Sequence, residues 1–264
     1  MPQPFYASVV NTTRISPHFV RVALGGPHMS GFARVGFDQW FRLFLPQPGQ
    51  ALPHLPDLGG SAGLREAWLA APEPIRPVIR NYTVRRHRPH DGEIDVDFVV
   101  HGDEGPASAW VQRAEPGDVV GLYDQGAMFA PRVEADWFLL VCDETGLPAV
   151  AGVMDGLEGD RRPVAAFVDV PSPADQQELP FGREWSTQWS HPDVGVPDDA
   201  RLLEAVREAK FRAGTPQAFV VGESSMVRAV RRHLVDERGF AKDQITFCGY
   251  WRRDPQAPTA EDDD

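Results

Sequence analysis

Between Pro131 and Asp136 the hydrophobic pattern of this chain changes character, and that change constrains the fold more than any other feature. Upstream, SVVNTTRISPHFVRVALGG and FDQWFRLFLP alternate apolar and polar residues over short spans, with Gly and Pro as punctuation. Such alternation describes half-buried strands with one wet face. VIRNYTVRR, EIDVDFVV and DVVGLY supply three further strands, with one short helix at Pro106 to Ala114 between the last two. Several short strands with a single helix predict a small antiparallel β-barrel. Pro46 to Gly60 and Pro72 to Pro77, where Pro and Gly gather, read as surface connections.

Downstream, Trp137 to Cys142 is a continuous apolar run, the mark of a strand buried on both faces. Leu147 to Leu157, Leu202 to Phe211 and Met226 to Arg238 read as helices. The last places Met226, Val230 and Leu234 on one face, with Gly239 positioned to end it. VAAFVDV, AFVVG and QITFCGYW read as the intervening strands, so β and α elements alternate as in a doubly wound parallel sheet. The predicted organisation is a β-barrel over 1–132, an α/β domain over 133–254, and an acidic tail, 255–264, without an apolar anchor and expected to be disordered.

A net charge of -12 argues against nucleic acid or an anionic membrane surface as partner, since both would be repelled at long range. It leaves room for a local basic pocket. The N-terminal residues show no charged segment leading into an apolar run, and no stretch is long enough for a membrane span. Cys142 and Cys248, both in apolar strand-like runs, are expected to be buried and reduced, which fits a cytoplasmic protein. The eight histidines include no pair at metal-ligand spacing, so no protein metal site is expected.

Three segments carry chemistry. In Arg80-Asn81-Tyr82-Thr83-Val84-Arg85 a cation, an aromatic and a hydroxyl end one strand, with Arg80 and Tyr82 on one face and Thr83 on the other. A flavin dinucleotide needs such a set: a planar cationic fork for its diphosphate, an aromatic face and a hydrogen-bond partner for its ring. An exposed strand whose arginine pairs with a carboxylate and whose tyrosine fills the barrel end would look the same. In Val100-His101-Gly102-Asp103-Glu104-Gly105-Pro106-Ala107-Ser108 a strand enters a Gly-rich turn and Pro106 opens a helix, where unpaired amides can receive phosphate. In Val141-Cys142-Asp143-Glu144-Thr145-Gly146-Leu147-Pro148 a buried strand reaches a helix start at the carboxyl edge of the predicted sheet, though without a dinucleotide fingerprint.

Taken in order, RNYTVR, HGDEGPASAW, DETGLPA, GESSMVRAVRRHLVDERG and GYWRR make the chain resemble the siderophore-interacting proteins, a branch of the ferredoxin-reductase-like flavoenzymes, from about Phe5 to Arg253. The resemblance implies that 1–132 binds FAD, that 133–254 binds NADH or NADPH, and that FAD lies between the two. It implies that Arg80, Tyr82, Thr83 and Arg85 hold the flavin phosphate and ring, and that His101 with Gly105, Pro106, Ala107 and Ser108 lines the rest. Asp143, Glu144 and Thr145 would face the nicotinamide, with Tyr250 and Trp251 near the flavin edge. Electrons would pass from the nicotinamide through FAD to ferric iron in a siderophore, which then lets the ferrous ion go; no residue would act as general acid or base.

Arg42, Arg252 and Arg253 are the candidates for an anionic ferric siderophore or other small-molecule electron acceptor. The sequence departs from the family at Gly126, a commonly basic position, and at Pro192, where an arginine is usual after His191. Both departures thin the positive charge expected near such a substrate. Two other readings therefore stand beside the first: a flavin reductase acting on another acceptor in a biosynthetic pathway, and a ferric-siderophore binder without turnover. Asp169, ending the second predicted parallel strand, could accept from a ribose 2′-hydroxyl and so favour NADH. Ser224 and Ser225 read as a helix cap and His191 as a loop residue.

Overall fold

The computed structural model describes residues 3–58, 63–101, 105–192 and 200–253. The predicted tail, 255–264, and Gly102 to Glu104 of the Gly-rich turn lie outside them. The chain divides between Ala127 and Met128 into two compact units.

The first unit contains strands β1 (Phe5–Ser16), β2 (Phe19–Gly25) and β3 (Trp40–Leu45), then helix α1 (Leu64–Ala70). Strands β4 (Val78–Thr83), β5 (Arg86–Arg88) and β6 (Glu93–Val99) follow, then α2 (Pro106–Val111) and β7 (Val119–Gly126). The strands form one antiparallel sheet in the order β4-β3-β7-β1-β2-β6-β5. Its two edge strands, β4 and β5, are consecutive in the chain, with only Val84 and Arg85 between them. Two residues span roughly 7 Å at full extension, so the sheet must curl until its edges meet. At the seam the Tyr82 ring of β4 packs on Phe98 of β6 at 4.2 Å, and the Arg85 amide donates to the Asp95 carbonyl at 2.8 Å. The barrel is filled by the inward half of each alternating strand, including Val22, Leu24, Phe41, Leu43, Val96, Phe98, Val120 and Leu122.

The second unit runs β8 (Trp137–Cys142), α3 (Leu147–Gly156), β9 (Val164–Asp169), β10 (Trp185–Ser190), α4 (Arg201–Glu208), β11 (Pro216–Glu223), α5 (Ser224–Asp236) and β12 (Ile245–Trp251). Its five strands are parallel in the order β10-β9-β8-β11-β12. The chain winds outward from β8 to β10 and returns on the other side, so the direction of winding reverses between β8 and β11. All six residues of β8 are buried, as its continuous apolar run requires. Met226, Val230 and Leu234 lie on the buried side of α5, and Gly239, at φ +73°, turns the chain out of the helix.

Two elements differ from expectation. Strand β10 (Trp185–Ser190) had no counterpart in the sequence reading, because as an edge strand it carries Ser, Thr and Gln on a half-wet surface. Helix α1 (Leu64–Ala70) buries no residue, so it leaves no periodic signature; Arg76 closes it by donating to the Leu69 and Ala71 carbonyls and stacking over Trp68. Cys142 on β8 and Cys248 on β12 form no disulfide and have β11 between them; Cys142 is buried as expected, whereas Cys248 is only half-buried. Among the described residues no helix is long and apolar enough to cross a membrane.

Candidate functional site

The cross-strand register of β4 opposes Tyr82 to Phe41 and Arg80 to Leu43, both buried core residues. Directly opposed residues share a face, so Arg80 and Tyr82 lie on the inner face of the sheet and Thr83, opposite Trp40, on the other. Arg80 is nevertheless exposed, which means this stretch of the inner face opens to solvent. Its Nη1 donates to the Ile79 carbonyl at 2.8 Å, and among the described residues no carboxylate pairs with it. The reading in which Arg80 is consumed by a neighbouring acid is thereby set aside. Tyr82 is half-buried; burial raises its phenol well above the usual range, with the Arg80 charge opposing. Thr83 is buried, and Arg85, 3% exposed, sits in the seam where the barrel closes rather than on an outer surface.

At the second segment, His101 is exposed, Gly105 and Pro106 are exposed, and Ala107 and Ser108 are buried. Gly105 adopts φ +96° with open space around a notional Cβ, so conformation and not crowding demands glycine there. A basic residue at Gly126 would meet a similar obstacle. The register between β3 and β7 slips at Trp40, and Gly126 follows the bulge at φ +81°. Arg42 is half-buried and donates through Nε to Gln125 Oε1 at 3.2 Å, so Gln125 and not a carboxylate is its partner there.

In the second unit the chemistry gathers at the carboxyl ends of the strands. The buried Asp143 carboxylate follows β8 and accepts from the Thr145 hydroxyl at 2.6 Å and the Thr145 and Gly146 amides at 2.9 and 3.1 Å. It also accepts from the Glu223 amide at 2.7 Å and the Trp251 indole N–H at 2.8 Å. Burial pushes this carboxyl up while those donors hold it down. Beside it Glu144 is pushed up to about 8, by burial first and the Asp143 charge second. The amides of the turn before α3 are thus partly taken by the chain's own carboxylate instead of being left for a phosphate.

Glu223, not Ser224 or Ser225, caps α5: its carboxylate accepts from the Met226 amide at 3.0 Å and from the Ser225 amide and hydroxyl. This corrects the serine-cap reading. The Ser224 hydroxyl instead donates to the Trp251 carbonyl at 3.0 Å. Arg253 reaches over the Trp251 ring at 5.8 Å, and both Arg252 and Arg253 are exposed. His191 contacts the Val170 carbonyl and Gln176, as a loop residue does.

Asp169 overturns a second expectation. It is 6% exposed and held by Arg201, through Nε at 3.1 Å and Nη2 at 2.7 Å, and by the Ser190 hydroxyl at 2.7 Å. A carboxylate so occupied is not free to accept from a ribose, and its favour for NADH lapses.

A curled antiparallel sheet followed in the chain by a doubly wound parallel sheet is also the fold of a ferredoxin NADP+ reductase from Neisseria gonorrhoeae, which superimposes with a TM-score of 0.67 at 14% identity. Residues 8–128 match the siderophore-interacting FAD-binding domain, and residues 135–254 match the siderophore-interacting protein domain. The chain belongs to the siderophore-interacting protein family. It is 31% identical over 252 residues to the NADPH-dependent ferric-chelate reductase of Escherichia coli, covering 92% of this chain and 91% of that protein. It is 29% identical over 255 residues to the ferric vibriobactin reductase ViuB of Vibrio cholerae, covering 95% and 90%. The solved structure of a siderophore utilization protein from T. fusca superimposes with a TM-score of 0.83 at 33% identity, covering 97% and 95%.

Proposed function

We propose that this protein is an FAD-dependent reductase that takes electrons from NADPH or NADH and delivers them to ferric iron in a siderophore, acting in the cytoplasm. The observation that carries the reading is Arg80, an exposed guanidinium with no carboxylate partner among the described residues, beside Tyr82 on an open stretch of the barrel's inner face. That donor set fits FAD: Arg80 meets the diphosphate, the Tyr82 ring, backed by Phe98, meets the flavin, and the turn from Gly105 to Ser108 completes the cradle, while Thr83, buried on the opposite face, supports the strand. When bound, FAD supplies the two-electron to one-electron conversion between nicotinamide and iron. Asp143, Glu144, Thr145 and Trp251 form the nicotinamide side, at the carboxyl edge where doubly wound sheets bind nucleotides. Arg42, Arg252 and Arg253 attract the anionic ferric complex. Siderophores grip Fe(III) through hard oxygen donors and hold the less charged Fe(II) far less tightly, so reduction frees the metal.

The purified protein tests this directly. It should carry a flavin spectrum that bleaches anaerobically with NADPH or NADH and recovers when ferric siderophore is added. A colourless protein that takes up no FAD would overturn the reading. The constrained glycine at 126 and the pairing of Arg42 with Gln125 favour a second reading, a flavin reductase with a different acceptor. Recovery with quinones or free flavin but not with ferric chelates would select it.

A further inference from the structure

The winding of the parallel sheet reverses between β8 and β11, and one side chain spans that point. Asp143 ends β8. Its Oδ1 gathers the turn into α3 through the Thr145 and Gly146 amides and the Thr145 hydroxyl. Its Oδ2 takes the Glu223 amide at the end of β11 and the Trp251 indole at the end of β12. Three strand ends and one helix start are therefore joined through a single carboxylate. The neighbouring strand makes room for it: Gly222 stands at φ +137°, and a Cβ there would lie 2.6 to 2.8 Å from the Asp143 carboxylate atoms.

The indole is the one long-range side-chain group in this set, 108 residues from Asp143 in sequence. It lies at the carboxyl edge of β12, half-buried, with Arg253 reaching over its ring. Open parallel sheets bind ligands in the crevice outside the carboxyl ends, where the winding reverses. A fixed indole at that edge suits a planar ligand, since its ring offers a stacking face. Without the bond to Asp143 the indole would lose its hydrogen bond and keep, among the described residues, Arg253 over its ring and two backbone anchors, the Ser224 hydroxyl on its carbonyl and the Glu223 carboxylate on the next amide but one.

We infer that Asp143 is a positioning residue for the nicotinamide dinucleotide: by holding the Trp251 indole at the reversal point it sets affinity for that cofactor and leaves affinity for FAD alone. This rests on the reading that the carboxyl edge of the second unit takes NADPH or NADH. In this role Asp143 acts through Trp251 and not by a contact of its own, since both its carboxylate oxygens are already engaged. Its five donors include four N–H groups, so an amide in its place would turn a donor toward donors and release part of the set.

The test uses the FAD-loaded protein and NADP⁺ as an unreactive probe, with Asp143→Asn, Trp251→Phe and the double variant. Trp251→Phe removes the indole N–H and keeps a ring, so it separates the tether from the platform. The expected result is a rise of about tenfold in the NADP⁺ Kd for Asp143→Asn, with FAD retained although the unfolding midpoint falls as part of the buried set is released. The double variant should bind NADP⁺ no more weakly than the worse single variant, because the effect of Asp143 on the cofactor runs through the indole bond that both variants cut. The difference in indole emission between Asp143→Asn and parent should vanish in the Trp251→Phe background. Equal Kd in all four proteins overturns the inference and leaves the reductase reading intact. Additive losses, or parallel losses of FAD and NADP⁺, also overturn it, because they mark a general structural role. A parent that binds neither NADP⁺ nor NAD⁺ removes the nicotinamide reading itself, and the inference with it.

Discussion

Arg201 grips Asp169 through two hydrogen bonds at the end of β9, where the side chains are only 8% and 9% exposed. Removing one partner of such a pair leaves a buried charge without compensation. Arg201→Ala should therefore destabilise the second unit by about 3–5 kcal/mol, far more than removal of an exposed pair such as Arg212 with Glu184. Denaturant unfolding of the two variants makes the comparison. Because Asp169 is engaged, Asp169→Asn should lower stability without changing the ratio of kcat/KM for NADPH and NADH; a shifted ratio would restore Asp169 to cofactor selection.

Arg80 is exposed and bonds only to the carbonyl of its chain neighbour among the described residues, so Arg80→Ala should fold normally. Loss of a charge-assisted contact to the flavin diphosphate should cost about 2–3 kcal/mol, or roughly 30- to 150-fold in FAD affinity. Flavin fluorescence titration of the apoprotein measures it. Undiminished affinity would place the diphosphate elsewhere.

Glu144 gives a pH dependence with a definite sign. Its carboxyl is raised in the folded protein from 4.5 to about 8, by burial first and the Asp143 charge second. Between those values the folded state holds a proton that the unfolded chain has released. Stability contributed by this site is thus present at low pH and lost as pH rises toward and through 8. Glu144→Gln cannot ionise, so its unfolding midpoint should match the parent's near pH 4, exceed it increasingly up to about pH 8 and keep a constant lead above that. A constant offset across that range would show that Glu144 titrates normally.

Arg252 is exposed at the end of β12, beyond Trp251. If it draws in an anionic ferric complex, Arg252→Glu should raise KM for that complex at low salt, leave KM for NADPH unchanged, and flatten the salt dependence. Arg42→Glu should act in the same direction but also lose the bond to Gln125, so its unfolding midpoint should fall as well. Steady-state kinetics at two ionic strengths resolves these effects.

Much of the second unit was legible because its strands are uninterrupted apolar runs and its long helix keeps a 3.6-residue stripe, as at Met226, Val230 and Leu234. Local composition could not announce β10, whose Ser, Thr and Gln belong to an edge, or α1, which buries nothing. At the candidate site the residue types could be read, but their commitments could not. Asp143 stood out as part of a turn, yet its bond to Trp251 spans 108 residues, and Asp169 meets Arg201 across 32. Glu223 was overlooked beside two serines because caps are usually the shorter side chains. Partnerships across the fold leave no trace in spacing, and they decide which acids are free to meet a ligand.

The place of β7 has a consequence for how the chain is made. This strand, Val119–Gly126, lies between β1 and β3, although β1 begins at Phe5. A nascent polypeptide emerging from the ribosome can pair β1 with β2 and β3 with β4 early, but until Val119 has left the exit tunnel these remain two separate ribbons. Each then shows an unpaired edge where β7 will be inserted, and unpaired edges recruit other chains. Barrel assembly should accordingly be a late, non-local event, and fragments ending before Val119 should be captured by chaperones or precipitate, whereas fragments ending just after Gly126 should fold.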